Sequence, residues 1–336
     1  MSLIKVPGEV SKIGIKKEQT HGTAATGNYR GLLVSDFEAH EEKEASPYAL
    51  ASGVKGTYDN NVSGSHQAIS FTSYAAPTDL TKGSLIDLVH MIMDRDAVTS
   101  VGGGVYKHTF SMQTVSKPSW SFWHDDGKSD TAPRYIIYNG FVADTMEITI
   151  DKSDGKIPIN MSGMAWQESD GSSKTCPIGS MTLWSPKDAV ITIGGSTIYN
   201  FNSCTISFAC GTEVNNVIND TKYPSRIDGT TLTCSISLKG FWNDATISET
   251  LMDAWRADSV QSTELNVKFG SNSTNDYFTL ILPKYRLSDS TYKTVAMKSE
   301  LPQNIELNSI HQGDTSTNGF SIEILDQNNV DWDSLS

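Results

Sequence analysis

The run Met146-Glu-Ile-Thr-Ile150, the turn Asp151-Lys-Ser-Asp-Gly155 and the return Ile157-Pro-Ile-Asn-Met-Ser-Gly-Met164 constrain the fold most. Apolar and polar residues alternate on both sides of the turn. Only a strand sends successive side chains to opposite faces, so this pattern demands a hairpin with one apolar face. The turn lacks the carboxylate spacing and distal Glu of a calcium loop, which leaves a plain turn. The same period recurs at Val105-Tyr-Lys-His-Thr-Phe110, Cys204-Thr-Ile-Ser-Phe208, Leu265-Asn-Val-Lys-Phe269 and Tyr277-Phe-Thr-Leu-Ile-Leu282. The expected class is mainly β, with little helix.

A second pattern divides the chain. A strand over residues 64–74 precedes a helical stripe of Leu85, Leu88, Val89 and Ile92. A strand over 229–242 precedes a stripe of Leu251, Met252 and Trp255. Gly64 and Gly229 are 165 positions apart (229 − 64), and Asp87 and Asp253 are 166 apart (253 − 87). The near-constant offset suggests an internal duplication; two unrelated β domains sharing common motifs is the alternative. The expected layout is an N-terminal arm outside the core (1–30), a first domain (31–172), a linker (173–188), a second domain (189–327) and a tail (328–336). Each domain carries one short helix. Polar excursions at 39–63 and 211–228 exceed the two to five residues a hairpin needs.

Composition narrows the function. The net charge is −13, so a broad surface that grips phosphate backbones or anionic membranes is not expected. No apolar run approaches the ~20 residues that span a bilayer. Residues 1–8 lack an apolar core and a cleavage site, which predicts no secretory leader and synthesis in the cytoplasm. Cys176, Cys204, Cys210 and Cys234 form no C-x-x-C pair, and free, mostly buried thiols are expected over a disulfide. The catalytic and phosphate-binding signatures HExxH, GxSxG, GxGxxG and the Walker loop do not occur. His124-Asp125-Asp126 resembles a metal triplet but reads better as a solvated loop. At period two, Trp120 and Phe122 share a face and Trp123 points away, which favours packing over a sugar-stacking platform.

Several stretches together resemble one family. They are Tyr106-Lys-His-Thr-Phe110 after Gly102-Gly-Gly104, Trp120-Ser-Phe-Trp123, the strand from Tyr138-Asn-Gly-Phe to Ile150 with its return over 156–166, and the polar loop 219–229. Over roughly residues 30–325 the chain resembles the tail tube (major tail) proteins of long-tailed bacteriophages, in particular those with two tube domains. The resemblance implies two tandem β-barrel or sandwich domains, each with a helix on its flank, and a structural role without enzymatic activity or cofactor. It implies stacked sixfold rings around a DNA channel, which three two-domain copies would complete. It implies the tape measure, distal tail and terminator proteins as partners, transient passage of double-stranded DNA, and a place in the virion tail after assembly in the host cytoplasm. Glu147, Thr149, Asn160 and Ser162, opposite the apolar residues of the hairpin, are the expected lumen-facing set of an acidic channel. Tyr48, Leu50, Tyr58, Val217, Ile218 and Tyr223, in the long polar stretches, are the expected ring-to-ring contacts. The alternative is a non-enzymatic β-sandwich that binds carbohydrate through Trp120 and Trp123. A hydrolase with an acid pair has no paired carboxylates in a supporting context.

Overall fold

A computed structural model describes residues 12–47, 60–93, 95–111, 118–126, 134–178, 181–198, 201–215, 226–229, 232–241, 260–271, 276–288, 292–293, 302–309 and 319–328. The first half contains β1 (Lys12–Lys17), β2 (Arg30–Leu32), β3 (Val34–Pro47), β4 (Asn60–Tyr74), α1 (Leu85–Ile92), β5 (Arg95–Gly102), β6 (Val105–Ser111), β7 (Trp120–Asp125), β8 (Tyr135–Asp151), β9 (Pro158–Ala165) and β10 (Gln167–Asp170). After a 3-10 turn at Pro186–Asp188 come β11 (Val190–Ile193), β12 (Ser196–Ile198), β13 (Phe201–Ala209), β14 (Thr212–Asn215), β15 (Arg226–Gly229), β16 (Thr233–Phe241), β17 (Leu265–Ser271), β18 (Asp276–Leu282), β19 (Tyr285–Leu287), β20 (Tyr292–Lys293), β21 (Pro302–Ser309) and β22 (Ser321–Asp326). The protein is mainly β, as the alternation demands.

β8 organises the larger sheet. Its C-terminal half pairs with β9 on one side and β13 on the other, while its N-terminal half pairs with β7 and β10. The order β3-β4-β9-β8-β13-β16-β21-β19 therefore runs unbroken from the first half of the chain into the second. A seven-stranded sheet, β12-β11-β17-β18-β22-β6-β5, forms the other layer, and β22 pairs with both β18 and β6. One apolar row crosses the larger sheet: Ile159, Ile148, Ile206, Ile236 and Leu307 stand side by side, all essentially inaccessible. Each such side chain contributes about 1.5–3 kcal/mol by leaving water.

The two halves use strands alike. β4 lies between its antiparallel partner β3 and the later β9; β16 lies between its antiparallel partner β13, from which β14 and β15 separate it in sequence, and the later β21. Phe71 and Ile236, 165 residues apart (236 − 71), are the buried mid-strand residues, flanked by Phe37 and Met161 in one case and Ile206 and Leu307 in the other.

Four expectations need revision. Lys12–Lys17, expected in an arm outside the core, pairs with β2 and β7 and buries Ile13 and Ile15. Its two-residue apolar pattern is too short to announce a strand by itself. The stretch 39–63 is largely strand: β3 continues to Pro47 and β4 begins at Asn60. Charged residues such as Glu38, Glu41 and Glu42 mask a ladder held by backbone bonds. In the second stretch, β14 and β15 pair over residues 212–215 and 226–229. Finally, α1, expected on a flank, is covered on all sides: every residue from Leu85 to Met93 is at most 1% exposed, charged Asp87 and His90 included. Asp87 accepts from the Ser84 backbone N–H at 3.0 Å and forms an ion pair with Arg30, which ties the helix start to β2. The second expected helix, over 247–256, lies outside the described residues.

Two buried polar clusters fix distant segments. The Glu18 carboxylate accepts from the backbone N–H of Gly22 (2.9 Å) and Gly140 (2.7 Å) and from the hydroxyls of Ser119 and Ser121 (both 2.7 Å). Gly140 sits at φ 71°, and a Cβ there would meet the Trp166 Cβ at 2.6 Å, so this bend of β8 requires glycine. His108 on β6 bonds Asp96 of β5 at 2.8 Å and Asp326 of β22 at 3.3 Å, all three buried. Burial pulls the imidazolium down, but its bonds to the Asp326 and Asp96 carboxylates reverse this and lift it from 6.5 to about 9. Charged at neutral pH, His108 donates from both nitrogens.

Candidate functional site

The face of the larger sheet opposite the apolar row is polar but for Ala209. Pairing aligns Asp36, Thr72, Asn160, Glu147, Ser207, Ser235 and Asn308 in one row. Glu38, Ser70, Ser162, Thr145, Ala209 and Thr233 form the next. On the other side stand Thr149, Thr205, Ser237 and Glu306. These side chains are half-buried or exposed, whereas their neighbours one residue along each strand lie in the core. The strict period of two, kept across seven strands, produces this division.

Short side chains keep the face smooth, and they satisfy each other. The Thr72 hydroxyl donates to Asn160 Oδ1 at 2.8 Å, and the Thr145 and Ser162 hydroxyls meet at 2.7 Å. A shallow hollow in the first half is lined by three carboxylates, Asp36, Glu38 and Glu147, and by no cationic side chain. Basic residues stand at strand ends and at the far edge: Lys239 is aligned with Ser203 and Asp151, Lys156 Nζ sits 3.6 Å from the centre of the Tyr74 ring, and Arg286 of β19 is aligned with Asn308. Bonds from the Ser153 hydroxyl and backbone N–H hold the Asp151 carboxyl below its usual range. The Lys156 ammonium, followed by the Ser35 hydroxyl, lowers the Tyr74 phenol.

Glu147, Thr149, Asn160 and Ser162 all fall on this polar face, so sequence reasoning found members of one surface. It missed Asp36 and Glu38, because the continuation of their strand over 39–47 was read as a polar excursion and its pairing with β4 left no signal. The partner half, from Thr205 to Glu306, comes from strands whose alternation was legible but whose neighbours were not. Tyr48, Leu50, Tyr58, Val217, Ile218 and Tyr223 lie outside the described residues.

Trp120 and Phe122 are in the main core. Trp123 is 2% exposed, donates its indole N–H to the Ser172 carbonyl at 3.0 Å and stacks on Tyr135. None offers a sugar an open aromatic face, so that reading loses its platform. His124 to Asp126 are no solvated loop: His124 and Asp125 are paired within β7, and burial lowers the His124 imidazole. Among the described residues no trio of His, Cys, Asp and Glu is arranged to hold a metal ion, the four cysteines are free thiols, and no helix is long and apolar enough to cross a membrane.

A broad sheet with one core face and one continuous hydroxyl- and carboxylate-bearing face, ending in the long edge strand β3, defines a β-structural protein built around a surface. The family model described as phage tail tube protein matches residues 8–310, and the chain belongs to that family of structural tail proteins. No curated protein matches it.

Proposed function

We propose that this chain polymerises into stacked rings whose joined large sheets wall a channel, with the polar face toward the lumen. Two tube domains, 31–172 and 189–327, arose by duplication, and three copies complete a ring of six. The observation that carries this reading is the single polar face spanning both halves. A face with short hydroxyl side chains and the carboxylates of Asp36, Glu38, Glu147 and Glu306 repels a phosphate backbone and offers it few cations. Double-stranded DNA would pass without being held.

The sheet edges support the same reading. Among the described residues β3 pairs only with β4, and at the far side β20 pairs only with β21, while β19 pairs with β21 and meets Gln261 in a single bridge at Tyr285. An open edge this long is an aggregation hazard in a monomer and an assembly surface in a ring, where each edge meets its neighbour's. The alike placement of β3-β4-β9 and β13-β16-β21 is what a ring of six needs from three chains. Assembly takes place in the host cytoplasm, with tape measure, distal tail and terminator proteins at the tube's interior and ends.

Negative-stain microscopy of the purified protein tests this directly. Tubes or rings with a central hole, showing threefold or near-sixfold symmetry on rotational averaging, are the expected result. A protein that sediments as a monomer at every concentration and forms no rings would overturn it.

A further inference from the structure

Strand β22 joins the two sides of the seven-stranded sheet. It pairs with β18 over residues 321–325 and with β6 over 322–326, antiparallel in both cases. Among the described residues no other strand links β5 and β6, from the first half, to β17 and β18, from the second. Three apolar side chains seat it: Ile322, Ile324 and, just before the strand, Phe320, whose ring centre lies 5.5 Å from that of Phe208 on β13. A short segment with few buried apolar contacts can open on its own.

The C-terminal end of β22 is held by charge. Asp326 Oδ1 lies 3.3 Å from His108 Nε2, and the Asn328 carbonyl oxygen lies 3.2 Å from the same nitrogen. The Asp326 carboxylate also accepts from the Asn328 backbone N–H at 2.8 Å, which fixes the turn that brings that carbonyl to the ring. On the other side of the imidazole, Nδ1 meets Asp96 Oδ2 of β5 at 2.8 Å. The neighbouring charges look elsewhere. Lys107 and Glu323 pair at 2.9 Å on the opposite face of the sheet, and α1 presents His90 to the Phe110 ring, two residues along β6.

The number of protons on the ring decides what this cluster does. The imidazolium donates from both nitrogens and serves all three acceptors. A neutral imidazole donates from one nitrogen only. The shorter bond, to Asp96, keeps the hydrogen. Nε2 then turns a lone pair toward the Asp326 carboxylate and the Asn328 carbonyl, and three acceptors face one another without a donor. Asp96 and His108 stand on one hairpin, so their bond persists. Asp326 and Asn328 belong to β22 and its end, so the repulsion falls on the seat of that strand.

We propose that β22 is a proton-gated clasp: loss of the His108 proton frees its end and parts the sheet between β6 and β18, with the rest of the fold in place. The clasp does not depend on the tube reading. The closed form keeps the proton up to about pH 9. The open form, in which Asp96 alone remains beside the ring, binds it less tightly. Opening therefore becomes easier as pH rises toward 9 and gains nothing further above it.

Hydrogen exchange of the full chain, read by mass spectrometry below the assembly concentration from pH 6.5 to 10, tests this. The segment 319–328 should be less protected than β13 and β16 at every pH. Its protection should be insensitive to low guanidinium, as a local opening requires, whereas that of β16 responds. After correction for the base-catalysed rise in intrinsic rate, protection in 319–328 should fall severalfold per pH unit, with about tenfold per unit as the limit for one proton, and level off above pH 9. In Asp326→Asn the amide donates to the neutral ring, so the fall should vanish. His108→Gln has no ring proton to lose and should show none either. Protection in 319–328 that is flat with pH in the parent overturns the clasp. So does protection equal to that of β16 and equally sensitive to guanidinium, or a fall that survives in either variant. Should neither variant fold, the parent comparison between 319–328 and β16 decides alone.

Discussion

The buried Asp96–His108–Asp326 triad predicts how stability responds to alkali. A histidine lifted from 6.5 to about 9 binds a proton more tightly in the folded state. Its contribution is complete below pH 6.5, declines as pH rises through the interval to 9, and is gone above it. At about 1.4 kcal/mol per pH unit, 2.5 units (9 − 6.5) set an upper bound of about 3 kcal/mol. The perturbation is His108→Gln, which keeps hydrogen-bonding capacity but cannot titrate. It removes the cation between two buried carboxylates, so the variant is less stable at neutral pH. The informative quantity is therefore the slope and not the offset. Guanidinium unfolding followed by tryptophan fluorescence, below the assembly concentration, is measured from pH 6 to 9.5. The parent should lose stability with a slope approaching 1.4 kcal/mol per unit near pH 8, relative to the variant. Parallel profiles would show that His108 is not protonated in the fold and would refute the reasoning.

Two further outcomes are expected. Glu18→Ala removes the common acceptor of four donors from Gly22, Gly140, Ser119 and Ser121; a loss of about 3–5 kcal/mol should appear as a lowered thermal midpoint, and a change within 0.5 kcal/mol would deny the clamp its role. Glu147→Lys lies on the solvent side of β8, so the thermal midpoint should hold while tubes acquire salt-sensitive retention of short duplex DNA, read by co-sedimentation at low ionic strength. Equal retention by parent and variant tubes would argue that Glu147 faces elsewhere.

Legibility in the sequence followed the range of the interaction. The faces of residues 146–150 and 157–163 were readable because period two records burial strand by strand, and the Trp120, Phe122 and Trp123 assignments came from the same rule. The repeated strand-then-helix order pointed to β4 and α1, but not to the burial of Asp87 and His90, since a helix covered on all sides looks amphipathic until its second neighbour is known. Glu18 and His108 gave no signal. Their partners lie up to 122 and 220 residues away, and one acidic or imidazole side chain inside a polar stretch looks like any surface residue. The far part of the β3–β4 pair was hidden for another reason: backbone pairing between a charged strand and a polar one leaves no hydrophobic trace.

β8 is bonded to β13 through a ladder that runs from Asp151 with Ser203 to Thr145 with Ala209. The two halves therefore meet along parallel-loaded backbone bonds and not through a flexible tether. Under the proposed assembly, tension running along these strands would load the bonds together instead of peeling them open singly, and curvature would be absorbed at the seams between chains.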